Sequence, residues 1–152
     1  MIKIRKFNMF VIVLIVATIC IFGVTTSFAE SNIIHVAEDN NDIAYKLDVD
    51  SIEMIDNYVV AEYAMFPTSD RGRNHIRKLI QNNKTEFVMT RIVFTNTRIK
   101  KFQITSMALV DSNGNIIKVL DIGFDKNNFE PVIKGAISSD LCDAVFYFLQ
   151  NI

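Results

Sequence analysis

The chain has 152 residues, with 16 basic against 17 acidic side chains for a net charge of −1. That length suits one domain, and the balance of charge argues against a basic nucleic-acid binder. Half of the residues are hydrophobic and only two are proline and five glycine, which excludes a disordered, collagenous or low-complexity chain.

Residues 1–8 carry Lys3, Arg5 and Lys6 and no acid, and residues 9–24 are an uncharged apolar run of 16. Ser27 and Ala29 then stand at small-residue positions before Glu30. This order of basic, apolar and small-residue regions predicts a secretory signal peptide over 1–29. The alternative is a retained anchor, for which the apolar run falls short of the ~20 residues that span a bilayer. Cleavage would leave 30–152 as a single domain with 13 basic and 17 acidic residues, net −4. The only membrane contact expected is through the signal segment before cleavage. The expected location is the periplasm or the cell surface. Cys142 is then the only cysteine left, so no internal disulfide can form in an oxidising compartment.

Residues 32–38 and 43–49 are short β-like runs separated by EDNND, a turn-forming stretch. In residues 58–66, Val59, Ala61, Tyr63 and Met65 share one face, and Tyr58, Val60, Glu62 and Phe66 the other. A short amphipathic helix follows at about 71–82. Ser69 and Asp70 are possible N-caps, and Ile76, Leu79 and Ile80 fall at helical spacing. Gly72 weakens its first turn.

Residues 86–96 alternate again, Phe87, Met89, Arg91 and Val93 against Val88, Thr90, Ile92 and Phe94. Residues 101–110 and 115–122 flank Asp111-Ser112-Asn113-Gly114, whose Asn and Gly tolerate the positive φ of a tight turn. An antiparallel hairpin is expected. Residues 123–135 read as loop, with Pro131 in the middle. In the last segment Ser138 and Ser139 offer N-caps. Leu141, Ala144, Val145, Phe148, Leu149 and Ile152 form an apolar stripe, with Cys142 at its edge. Such a helix must lie on a sheet. The expected fold is α+β: an antiparallel sheet of about five to six strands with a C-terminal amphipathic helix on one face.

Four stretches carry a resemblance: YKLDVDSI (45–52), YVVAEYAMF (58–66), KKFQI with LVDSNGNII (100–117) and FEPVIKGAISSDLCDAVF (129–146). In order and spacing the chain resembles the surface-adhesin protein E-like family of exported bacterial proteins. The resemblance implies an antiparallel sheet with a C-terminal helix on one face. For the best-known member it implies binding of host extracellular-matrix and plasma proteins. It also implies a cysteine pair between the central strand and the C-terminal helix. Here Cys142 matches the second position and Thr97 stands at about the first, so the tether is missing. The tryptophan often found near the first strand is also absent.

Recognisable catalytic arrangements are missing: no GxSxG, HExxH or glycine-rich phosphate loop occurs. His35, His75 and Cys142 lack metal-ligand spacing, and no metal or cofactor is expected. Asp48, Asp50, Glu53, Asp111 and Asp121 are acids near turns or strand ends, read as surface groups. Two basic islands remain. Arg71, Arg73, His75, Arg77 and Lys78 lie in one segment, and Arg98, Lys100 and Lys101 in another. They are solvated faces or a contact for an anionic partner such as a sulfated glycan or an acidic protein patch. The expectation is a non-enzymatic exported binding module, meeting a host matrix or plasma protein. The alternative is a structural or assembly component of the envelope, contacting other envelope proteins or cell-wall polymer.

Overall fold

Period-two alternation along the strands sorts side chains onto two faces of one twisted sheet. The computed structural model describes residues 32–151; the expected signal segment and Ile152 lie outside them. The strands are β1 (Ile33–Glu38), β2 (Ile43–Ile55), β3 (Tyr58–Pro67), β4 (Phe87–Thr95), β5 (Lys101–Val110), β6 (Ile116–Asp121) and β7 (Glu130–Pro131). Helix α1 (Asp70–Leu79) joins β3 to β4, and α2 (Ile137–Leu149) closes the fold. β1 to β6 run in chain order as an antiparallel meander, and β7 pairs with the start of β5. The fold is the expected α+β arrangement. Among these residues no helix is long and apolar enough to cross a membrane.

One face of the sheet meets both helices. Leu47, Val59, Ala61, Tyr63, Val88, Ile92, Phe94 and Leu109 form its buried core together with Ile76 of α1 and Leu141, Cys142 and Val145 of α2. The expected facing of β3 and β4 is therefore observed. The second face carries no helix. On it lie Val60, Glu62 and Phe66 of β3 with Phe87, Arg91 and Val93 of β4, and Phe66 stacks on Phe87 at 4.4 Å between ring centroids.

Local structure departs from the expectations in the sheet and at α2. β2 does not stop at Val49 but continues to Ile55 through an irregularity in which residues 49–52 face only Ala61. Ser51 holds this bulge: its hydroxyl donates to the Asp48 carbonyl at 2.6 Å and accepts from the Glu62 N–H at 2.7 Å. A side chain there stands in for a missing ladder bond. Pro131 is not loop. It and Glu130 pair with Lys101 and Phe102 on an outer edge of the sheet, where proline's missing N–H is tolerated.

The N-cap of α2 is Ala136, not Ser138 or Ser139, and it makes no side-chain cap bond. Gly135, at φ 83°, turns the chain into the helix earlier than the serines would. The buried face of α2 is also turned towards Cys142, which is 4% exposed, while Phe148 is only half-buried. Phe146, off the expected stripe, meets the Phe94 ring edge-on at 6.3 Å, and the Lys100 ammonium sits over it at 3.8 Å. The β5–β6 hairpin is as expected. Asp111 Oδ1 accepts from the N–H groups of Asn113 and Asn115, and Gly114 takes φ 82°.

Candidate functional site: a cleft on the helix-free face

The strand register lines up one polar row across the helix-free face. Asp48 of β2 lies opposite Glu62 of β3, Glu62 opposite Arg91 of β4, Arg91 opposite Ser106 of β5, and Ser106 opposite Asp121 of β6. Directly opposed residues hold their Cβ atoms about 5 Å apart. Even so, Arg91 takes part in none of the ion pairs among the described residues, with Glu62 or any other acid. Its exposed guanidinium instead lines a cleft of about 470 Å³.

The floor of the cleft is apolar, from Val60 and Val93, and Tyr58 and Phe124 supply aromatic surface. Tyr58, Phe124 and Phe129 form a three-ring cluster with centroid separations of 5.2, 5.6 and 5.9 Å. Thr105 and Ser106 add hydroxyls, and Asp56 and Asp121 add carboxylates. Two neighbours in sequence should point to opposite faces of a strand. Thr105 and Ser106 both reach the cleft because the β4–β5 register shifts there: Arg91 pairs with Ser106 while Ile92 pairs with Ile104. Thr105 is the extra residue of a bulge, its hydroxyl 3.4 Å from the Arg91 carbonyl. The same shift returns Met107 and Leu109 to the core side, as a one-residue slip must.

The wall containing Phe124 is held by Gln103, a side chain only 6% exposed. Its amide nitrogen donates to the Asn128 carbonyl at 3.0 Å, and its amide oxygen accepts from the Asp125 N–H at 3.1 Å. The Thr105 carbonyl accepts from the N–H groups of Ile122 and Gly123. Both ends of the 122–128 segment are therefore tied to β5. Asp121 Oδ1 also accepts from the Gly123 N–H at 3.1 Å, leaving its other oxygen without a bond among the described residues. No group of three His, Cys, Asp or Glu side chains that could hold a metal occurs among the described residues.

The basic island on α1 is largely neutralised. Arg71 pairs with Asp42, Arg73 with Asp70 and Glu86, and Arg77 with Glu86 at 3.6 Å. Arg77 also donates to the Thr85 carbonyl at 2.9 Å. His75 and Lys78 are exposed on the outer side of the helix. In the second island Arg98 and Lys101 are exposed, while Lys100 covers Phe146 and lies 3.3 Å from Asn96 Oδ1. Of the acids weighed from sequence, Asp121 enters the cleft and Asp48 is buried, whereas Asp50 accepts from the Asn32 N–H at the sheet edge.

Arg91, Gln103, Tyr58 and Phe124 were not singled out by motif. The available signals were an arginine inside a β-branched, aromatic strand and a glutamine between Phe102 and Ile104 in another. No family model matches the chain, and neither a curated protein nor a solved structure matches it.

Proposed function

We propose that the chain is an exported, non-enzymatic binding module whose ligand occupies the cleft on the helix-free face. One observation carries this reading: Arg91 lines an aromatic-walled cleft and makes no ion pair among the described residues, although Glu62 stands directly opposite it. A guanidinium held in that way offers a ready partner to an anionic group, with apolar surface beside it to bury the rest of a ligand. The α1 island is a weaker candidate for an anionic partner, because its three arginines already meet carboxylates. Export is supported by the basic, apolar and small-residue order of residues 3–29. The resemblance to surface-adhesin protein E-like proteins suggests a host matrix or plasma protein as the partner.

The test is binding of an anionic naphthalene-sulfonate dye to the domain from Glu30 onward. Binding should fall at least tenfold in Arg91→Gln and in Phe124→Ala, with the Arg91 variant melting at the parent temperature. Equal binding by parent and variants would remove the cleft from the reading. Intact mass of the exported protein should begin at Glu30; retention of Met1 would remove cleavage.

A role as an envelope assembly component is favoured by a different feature. β6 is an edge strand exposing Val119, with Ile122 just beyond it, 59% and 55% exposed. Cross-linking in intact cells separates the two readings by whether the captured partner is a surface or an envelope component.

A further inference from the structure

The cleft carries charge of both signs, and their placement restricts what fits it. Arg91 and Asp121 stand in one row with Ser106 between them. They are two strands apart, roughly 10 Å from backbone to backbone. They do not pair with each other. Val60, Val93, Tyr58 and Phe124 line the same cleft.

We propose that the cleft binds a short apolar peptide with both termini free, the carboxylate on Arg91 and the ammonium on Asp121. This rests on the reading of the cleft as the binding site and places a small peptide there in place of a host protein. A ligand that is only anionic can use Arg91 but leaves Asp121 unpaired, so it gains less than one that carries both signs, and a purely cationic ligand would face Arg91. A zwitterion satisfies both signs. Two or three extended residues at ~3.3–3.6 Å each cover roughly 7–11 Å, a length comparable with the spacing of the two strands once the Arg91 and Asp121 side chains reach towards each other. The volume of about 470 Å³ falls within the usual range for small-ligand sites. Thr105 and Ser106 line the same cleft and bring hydroxyls that can serve a peptide's amides, and the aromatic walls suit apolar side chains.

The experiment is calorimetric titration of the domain with leucyl-phenylalanine, its N-acetyl form and its C-terminal amide. The free dipeptide should bind, and either block should weaken it at least tenfold. Arg91→Gln should bind the amide and the free acid equally, and Asp121→Asn should bind the acetylated and free forms equally. The side-chain amide introduced by Asp121→Asn keeps an acceptor for the Gly123 N–H, and the variant's melting temperature checks that the wall is intact. If blocked dipeptides bind as tightly as the free one and displace the naphthalene-sulfonate dye, the cleft is a site but not for zwitterions. If the free dipeptide fails to bind while the dye binds, the peptide assignment falls alone. If the dye also fails to bind, both readings fall.

Discussion

The carbonyl oxygen of Asp42 occupies the place where a side chain at position 72 would begin: a Cβ on Gly72 would lie 2.2 Å from it. Helix α1 is thus seated directly on the β1–β2 turn. Asp42, at φ 60°, meets the helix start with its whole residue. Its carbonyl accepts from the Thr68 N–H at 2.8 Å, and its carboxylate accepts from Ser69 at 2.6 Å and from Arg71 Nε at 2.9 Å. The glycine that costs helix propensity is what allows this approach.

Gly72→Ala should therefore destabilise the domain by about 1–3 kcal/mol, the usual range for overpacking, although alanine is the better helix former. Urea unfolding of parent and variant measures it. A neutral or stabilising alanine would mean that α1 shifts freely over the turn.

Two aspartates should move stability with pH in opposite directions. The Arg71 hydrogen bond, then that of Ser69, holds the Asp42 carboxyl below its usual value. Its contribution is complete above the unfolded value of about 3.9 and is lost as pH falls through the lower folded value. Burial raises the Asp48 carboxyl, opposed by the Asp50 N–H that donates to it. Its contribution is complete below about 3.9 and is lost as pH rises through the higher folded value. Asp42→Asn should lower stability at neutral pH and flatten the acid limb. Asp48→Asn should raise stability at neutral pH, with the gain vanishing near pH ~4. Unfolding free energies across the acid range decide both; a gain from Asp42→Asn would reverse the first sign.

Docking of α2 should depend more on Leu141 than on Phe148. Leu141 is 2% exposed, and its truncation to alanine should cost ~2–5 kcal/mol. Phe148 is half-buried, so its alanine variant should fall short of the ~3–5 kcal/mol of a fully buried ring. The order of the two denaturation midpoints is the readout.

Cys142 should be chemically quiet. Burial, and secondarily the Asp143 charge, push its thiol up to about 11, while the thiolate is the reactive form. An aromatic disulfide reagent should modify the native protein slowly and the urea-unfolded protein at once. Rapid native labelling, or a disulfide-linked dimer, would show that the helix lifts.

Gln103→Leu should loosen the cleft wall without unfolding the sheet. It removes both hydrogen bonds to residues 125–128, each worth ~0.5–1.5 kcal/mol. Amide exchange should accelerate in 122–129 and stay unchanged in β3 and β4. Uniform acceleration would make Gln103 a general core residue.

Much of the fold was legible because its signals are local. Period-two alternation in residues 58–66 and 86–96 assigns both faces of β3 and β4. The Asn113-Gly114 turn sets the last hairpin, and the 3.6-residue stripe in residues 141–149 identifies α2. Each depends only on neighbours within a few residues. What tertiary structure alone decided is where bulges fall and which polar groups meet. The Ser51 bulge, the Thr105 bulge and the pairing of Pro131 come from long-range register. Arg91 gains significance only because register brings Glu62, Ser106 and Asp121 into its row. The arginines of α1 looked like a basic surface in sequence, yet Asp42 and Glu86, distant along the chain, fold against them. Gly72 read as a weakness of the helix until the turn at Asp42 came within contact. Periodicity reports which way a side chain faces, and pairing across the sheet decides what it faces.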